Sequence, residues 1–289
     1  MLAELFASRP LPSLDGHSYY TDTAHPRPDL AALQGSTNAD ACVVGGGIAG
    51  LSAALALARA GVQVTLLEAR RIGSGASGRN GGQALADFAC GIEALEARLG
   101  ADAALRAWEL SQQAPRLLRD RIAGHDIDCD WRDGALTLAR SPRQALRLRR
   151  AMQHRRLRYG ARQLQWLDAA ELRARLHSRR YVGAVLDPDA GHLHPLNYTL
   201  GLAGAARAAG VRMHEHTPVH EIRRAADGYH LRASDAELRC RMLLLAAGAV
   251  PGAPLRRLRA RVLPVATCML ATEPLPETVL PGGHAACDS

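Results

Sequence analysis

The sequence predicts an α/β protein, α+β overall, built on a Rossmann-like dinucleotide-binding domain. Three features carry that prediction. An apolar run, Ala41–Val44, feeds directly into Gly45, Gly47 and Gly50, spaced as G-x-G-x-x-G. An Ala/Leu-rich helical run over 51–60 stops at Gly61, and VQVTLLE (62–68) reads as a second strand closing on Glu68. The acid falls about 20 positions past the glycines, the spacing of a βαβ unit that holds a dinucleotide.

Each element has a mechanical reason. Gly45 permits the tight turn out of the first strand, and Gly47 lets backbone approach a pyrophosphate with no Cβ in the way. Gly50 allows the helix to lie close against the sheet. The helix N-terminus around Ile48 and Ala49 offers free N–H groups and a partial positive charge to phosphates. Glu68 can accept both ribose hydroxyls of an adenosine, and its charge disfavours a 2′-phosphate. Residues 41–58 carry no charge and are about as long as a bilayer span. The glycines after the strand and the acid beyond the helix favour a nucleotide, so no membrane span is expected.

The segment ARRIGSGASGRNGGQ (69–83) comes next. Five glycines and two serines lie between Gly73 and Gln83, which rules out a regular helix or a central strand. Placed directly after the ribose-binding strand, it reads as a cofactor loop with Arg79 and Asn80 as polar handles; the alternative is a flexible surface linker. IEALEARLG and ALRAWELSQQAPRLLRDRI read as helices, CDWRDGALTLARS (129–141) as a hairpin, and Asp187-Pro188-Asp189 as a turn.

Composition narrows the function classes. Hydrophobic content of 47% and charged content of 22% describe an ordinary globular chain, and its 289 residues can build one large or two ordinary domains. The N-terminus lacks the basic and long apolar regions of a signal peptide. Six scattered cysteines with no C-x-x-C fit reduced thiols, so a cytoplasmic location is expected. The net charge of +8 comes entirely from arginine, since the 36 basic residues include no lysine. In the densest run, 140–162, Ala145, Leu148 and Met152 fall at helical spacing, so one face can pack while the arginines stay solvated. No stacking aromatics alternate with them and no zinc-finger spacing appears, so nucleic acid is not an expected partner. His192, His194, His214, His216 and His220 invite a metal reading, with His214 and His216 sharing a face if extended. No cysteine or acid falls at a familiar zinc spacing, so no metal is assigned.

The block DACVVGGGIAGLSAALALARAGVQVTLLEARRIGSGASGRNGGQ (40–83) resembles the N-terminal flavin-binding signature of the D-amino-acid-oxidase/glycine-oxidase superfamily of FAD enzymes. GASGRNGGQ (75–83) is most similar to the γ-glutamylputrescine oxidoreductase group, and SYYTDTAHPRPDLAALQG (18–35) resembles its leader segment. Residues 191–222 resemble the second flavin-domain helix and strand, and RMLLLAAGAVPG (241–252) resembles the strand whose small-residue turn lies near the flavin. VLPVATCMLATEPLPE (262–277) is similar to the strand that re-enters the substrate domain.

The resemblance implies a Rossmann-like FAD-binding domain with an interleaved antiparallel-sheet substrate domain. The implied boundaries are a leader over 1–35, an FAD domain over 36–120 and 189–253, and a substrate domain over 121–188 and 254–289. The implied FAD contacts are Gly45, Gly47, Ile48, Ala49, Gly50, Glu68, Ala69, Arg70, Ser77, Arg79, Asn80, Gly81, Gly82, Val219, Ala247 and Gly248. No His occurs between 69 and 83, which excludes one covalent linkage seen among relatives, so non-covalent FAD is expected.

The implied reaction takes a hydride from the carbon next to an amine or amino-acid nitrogen to flavin N5, giving an imine that water hydrolyses, with γ-glutamylputrescine or a similar amine as substrate. A single dinucleotide fingerprint fits an organic substrate as electron donor. Oxygen and a quinone both stay open as acceptors, and no catalytic residue is assigned. Superfamily members are longer than this chain, so a C-terminally truncated fragment is expected. A non-catalytic remnant and a nicotinamide-dependent dehydrogenase are the alternatives.

Overall fold

In the computed structural model, which describes residues 16–176, 178–248, 260–263, 265 and 270–273, the strand before the glycines begins earlier than its apolar residues do. Ahead of it, the short helix α1 (Tyr19–Asp22) is closed by a capping box between Ser18 and Thr21. Strand β1 spans Ser36–Val44, because its polar half, Ser36 to Ala39, pairs in parallel with Glu237 to Cys240. Helix α2 (Ile48–Arg59) follows with Gly47 as its N-cap, and β2 (Val64–Leu67) pairs in parallel with β1.

The chain divides into two compact units, residues 1–81, 125–129 and 194–269 in one and 82–124, 130–193 and 270–289 in the other. In the first unit, helix α7 (Pro195–Ala208) leads to β7 (Arg212–His214), β8 (Val219–Ala225), β9 (Gly228–Ala233) and β10 (Ala236–Leu245). The six-stranded sheet has the order β7-β2-β1-β10-β9-β8. Its first four strands are parallel, while β9 and β8 add on antiparallel. The four β2 residues and Leu51, Ala54 and Leu55 of α2 are buried, as are Leu196, Leu202 and Ala206 of α7. Fully burying a valine or leucine side chain, as at Val64, Leu66, Leu67, Leu51, Leu55, Leu196 and Leu202, contributes about 1.5–3 kcal/mol each, which is why the strand ends, and the glycine loop between them, are held in place.

The second unit contains β3 (Gln83–Ala84), α3 (Ile92–Leu99), α4 (Ala101–Gly124), β4 (Arg132–Ala139), α5 (Pro142–Tyr159), β5 (Gln165–Asp168), α6 (Ala169–Leu176) and β6 (Gly183–His192). Strand β6 pairs antiparallel with β3, β4 and β5. Helices α3, α4 and α5 share one core through Ile92, Trp108, Met152 and Tyr159. That packing groups residues 82–124 with the antiparallel sheet, where the sequence reading had joined 36–120 to the nucleotide-binding domain.

Other expectations also change. CDWRDGALTLARS contributes one strand, β4, whose partner is β6, and not a hairpin. Its Asp-Gly pair, turn-like in isolation, forms a bulge: Gly134 has φ +91° and the register shifts between Asp133 and Ala135. Asp187-Pro188-Asp189 lies inside β6, with the Asp189 N–H donating to Asp187 Oδ1 at 3.0 Å, so the local turn bond survives within a strand opposite the bulge. Burial pushes the Asp187 carboxyl above its ordinary range.

The arginine-rich helix α5 forms as expected, with Met152 buried and Ala145 and Leu148 half-buried. Two of its arginines are committed to ion pairs: Arg155 meets Asp87 at 2.9 Å and Glu93 at 3.1 Å, and Arg158 meets Glu96 at 3.3 Å. His216, at φ +49°, breaks the extended run after β7, so His214 and His216 do not continue one strand. Among the described residues no three His, Cys, Asp or Glu side chains gather into a metal-holding group, and no helix is long and apolar enough to cross a membrane. Residues 1–15 of the leader, 249–253 of the small-residue turn and most of 254–289 lie outside the described residues.

Candidate nucleotide site

The glycine loop sits where β1 ends between its two parallel neighbours. Gly45 takes φ +115°, donates its N–H to the Leu67 carbonyl at 2.9 Å, and lies so close to the Ala246 carbonyl that any Cβ there would collide with it. A Cβ on Gly50 would strike the Gly45 carbonyl, which is the close helix–strand approach the spacing predicts. Gly47 has extended backbone, and a Cβ on it would lie 2.6 Å from Ser77 Oγ. That hydroxyl accepts the Ile48 N–H at 3.0 Å, so the first donor of α2 is met by the loop that follows β2. Ala49, the next helical residue, is exposed. The partial positive charge of such a helix start suits an anion.

Glu68 stands at the tip of β2. Its Oε2 accepts the Gly46 N–H at 2.6 Å and its Oε1 accepts the Arg70 N–H at 2.9 Å. Ala69, between them, is exposed. The Nη1 of Arg70 is buried and makes no hydrogen bond. Buried donors of this kind are normally satisfied, and a ligand acceptor would complete this one.

The loop that follows forms a short 3₁₀ turn, Ala76–Gly78. Asn80 closes it, with Nδ2 donating to the carbonyls of Ala76 at 3.2 Å and Ser77 at 2.9 Å. Arg79 Nε donates to the Ser74 carbonyl at 3.0 Å, and Nη2 reaches the Gly16 carbonyl at 3.3 Å. Both side chains therefore shape the loop they sit in. Gly81 ends the first unit, and Gly82, at φ +72°, opens the second with its carbonyl accepting the Leu193 N–H at 3.0 Å. Val219 begins β8, half-buried against the cluster of Cys42, Leu67, Leu231 and Leu238. Ala247 and Gly248 follow β10, Gly248 at φ +64°, and the Ala247 nitrogen lies beside the position a Gly45 Cβ would take. The first unit thus brings together the glycine loop, the strand-tip acid, the 69–81 loop and the turn after β10.

Two groups the sequence reading passed over belong to the same neighbourhood. Glu215, buried, accepts the Ile72 N–H at 2.7 Å through Oε1. Thr217, also buried, accepts the Leu33 N–H at 3.0 Å and donates to the Glu215 carbonyl at 2.7 Å. The signal for both was an acid and a hydroxyl just after a short strand, where the flanking histidines drew the reading toward metal. The leader is fastened to the same unit: His194 Nδ1 accepts the Asn197 N–H at 3.1 Å while Nε2 meets Thr23 Oγ1 at 3.0 Å. Asn197 Oδ1 accepts the His25 N–H at 2.9 Å.

A parallel-sheet unit with a G-x-G-x-x-G turn, a helix N-terminus behind it and an acid at the second strand's tip defines a dinucleotide-binding protein of the Rossmann type. Comparison with known proteins makes that specific: the family of FAD dependent oxidoreductases matches residues 40–288, and the chain belongs to this family. It is 38% identical over 261 residues to gamma-glutamylputrescine oxidoreductase of Escherichia coli K12, covering 90% of this chain and 61% of that protein. It is 29% identical over 216 residues to glycine oxidase of Geobacillus kaustophilus, covering 73% of this chain and 54% of that protein. The crystal structure of glycine oxidase from the same organism superposes with a TM-score of 0.59 at 26% identity, over 73% of this chain and 56% of that one. The chain thus spans about three fifths of the length of its Escherichia coli relative.

Proposed function

We propose that this chain binds FAD and serves the oxidation of an amine or amino acid at the carbon next to nitrogen. Bound FAD supplies the two-electron oxidant for that carbon, and water hydrolyses the resulting imine. The observation that carries the reading is the Glu68 carboxylate at the tip of β2, tied to the Gly46 and Arg70 N–H groups beside the bare glycine loop. This arrangement supports a reading in which the acid receives an adenosine ribose and the loop a pyrophosphate, and the buried Arg70 Nη1 donor, which makes no hydrogen bond, supports a ligand acceptor nearby.

In this reading Gly45, Gly47, Ile48, Ala49 and Gly50 approach the pyrophosphate through backbone. Glu68, Ala69 and Arg70 flank the ribose, and Val219 the adenine. Ser77, Arg79, Asn80, Gly81 and Gly82 form the loop beside the flavin, with Ala247 and Gly248 opposite. Ser77, whose hydroxyl accepts the Ile48 N–H, would be among the groups holding the phosphates, and Asn80 keeps the 3₁₀ turn in shape. FAD is held non-covalently. The first unit serves the cofactor and the antiparallel unit the substrate, with γ-glutamylputrescine or a similar amine as substrate class by likeness to the Escherichia coli relative. Oxygen or a quinone takes the electrons, in the cytoplasm.

The test is spectroscopic. Purified protein loaded with FAD should show flavin absorbance that an amine such as γ-glutamylputrescine bleaches anaerobically. NAD binding without flavin binding would refute the reading.

A further inference from the structure

Glu215 is the most deeply buried acid among the described residues, at 2% exposure, and the nucleotide-site residues do not account for it. It follows β7, where the backbone runs alongside the start of the 69–78 loop. The Thr217 and His216 N–H groups donate to the carbonyls of Glu68 and Arg70, and the Glu68 N–H donates to His214. The side chain then adds what this backbone lacing cannot. Oε1 accepts the Ile72 N–H at 2.7 Å, inside the protein, while Oε2 lies 3.8 Å from Arg71 Nε and makes no hydrogen bond.

The next residue shows what the contact controls. The Gly73 N–H donates to the Gly46 carbonyl at 3.1 Å, and the Gly46 N–H is the one Glu68 holds. A Cβ on Gly46 would lie 3.0 Å from Ile72 Cγ1 and 3.2 Å from Glu68 Cβ, so loop, glycine turn and ribose acid are packed without slack. Gly73 also turns at φ +74°, with a Cβ there lying 2.8 Å from Leu196 Cδ1 of α7.

We infer that Glu215 is a positioning residue for the cofactor: through the Ile72 N–H it fixes the Ile72–Gly73 segment, and through the Gly73–Gly46 bond it sets the glycine turn relative to Glu68. Glu215 touches no cofactor in this scheme; it acts one residue removed. A buried carboxylate is costly unless its charge is compensated, and Arg71 beside it and Arg27 supply the compensation. The Arg27 pKa is lowered overall, by burial first and then by Arg71, with the Glu215 charge opposing them. The inference rests on reading 69–78 as a cofactor loop, and its test separates the two.

Three measurements on wild type, Glu215→Gln and Glu215→Leu decide it: FAD affinity of the apoprotein, amide hydrogen exchange over 69–78 with β1 as reference, and melting temperature. Leucine keeps the bulk and leaves Ile72 without an acceptor; glutamine keeps an amide oxygen for it. Loss of a buried bond to a charged acceptor corresponds to about tenfold or more in affinity, so Glu215→Leu should raise the FAD Kd by about that factor. It should also speed exchange at 69–78 and leave β1 protected, while glutamine stays near wild type. A role confined to general stability would lower the melting temperature and speed exchange everywhere at unchanged FAD affinity, and that result overturns the inference. Leucine and glutamine variants that both match wild type overturn it as well. Should Glu215→Leu fail to fold, Glu215→Asp decides: faster exchange confined to 69–78 with weaker FAD binding supports the inference, and wild-type values for both overturn it. A wild-type protein that takes up no FAD contradicts the cofactor reading alone, because the exchange comparison still reports on the hold over Ile72.

Discussion

The Glu68 carboxylate bridges two backbone donors, Gly46 N–H at 2.6 Å and Arg70 N–H at 2.9 Å, and so joins the glycine turn to the loop after β2. One acid therefore has two tasks, shaping the turn and, in the proposed function, receiving the ribose. Removing it should affect both.

Glu68→Ala should weaken FAD binding by about 1–3 kcal/mol, the range for losing hydrogen bonds to a charged acceptor. Glu68→Gln should cost less, because one amide oxygen still accepts one of the two N–H groups. Isothermal titration of FAD into both apoproteins checks this. Equal affinity in wild type and both variants would remove Glu68 from the site.

Gly50→Ala should destabilise the fold before it touches ligand binding. The added Cβ meets the Gly45 carbonyl, a backbone atom that cannot rotate away, so α2 must lift from β1. Overpacking of this kind costs about 1–3 kcal/mol. Thermal melting of the apoprotein reads it directly. Gly61→Ala is the control for a glycine with positive φ and open space, at φ +82° with nothing within 4 Å, where only backbone strain is expected.

Asn80→Ala should loosen the 3₁₀ turn, since its amide meets both the Ala76 and Ser77 carbonyls. Ser77 then loses its fixed position opposite Ile48 and Gly47. FAD affinity should fall while the melting temperature of the apoprotein changes little, because Asn80 is exposed. A large drop in melting temperature at constant affinity would assign Asn80 to the fold instead.

The βαβ start was legible because each of its residues signals locally: apolar runs, three glycines at fixed spacing and an acid at a strand end. Gly45 and Gly50 meet the backbone atoms that their spacing implies. What stayed hidden depends on partners far away in the chain. The polar half of β1 is a strand only because residues 237–240 lie beside it. Asp133-Gly134 forms a bulge because β4 pairs with β6, some 50 residues on, and short-range turn chemistry cannot reveal that. Glu215 gave no signal beyond a lone acid between histidines, since its partner Ile72 is 143 positions away.

The second unit should respond to pH at both extremes. Burial is the largest single influence on the Glu93 carboxyl and raises it, but the hydrogen bonds from Arg155 and its own backbone, with the charges of Arg155 and His154, together outweigh burial and the net shift is downward. Its stabilisation is therefore full above the ordinary glutamate pKa of about 4.3 and is lost as pH falls through the lowered folded value. Tyr159 is pushed up to about 12, first by burial and then by its bond to Glu96. A raised phenol pKa stabilises the fold below the ordinary value of about 10 and loses that contribution as pH climbs toward the folded one. Melting curves across the alkaline range, with Tyr159→Phe as comparison, check the second arm. The wild type should lose stability more steeply than the variant.

The central claim is that the glycine turn, Glu68 and the loop after β2 hold FAD. Its most direct measurement is the visible absorbance of the purified apoprotein titrated with FAD, in wild type and in Gly47→Val, whose Cβ lies 2.6 Å from Ser77 Oγ on the surface assigned to the pyrophosphate. The account predicts saturable binding with a perturbed flavin spectrum in the wild type, undisturbed by NAD, and no uptake by the variant. Wild-type protein that stays colourless after FAD titration and desalting, or a Gly47→Val protein that binds FAD as tightly as wild type, would contradict it.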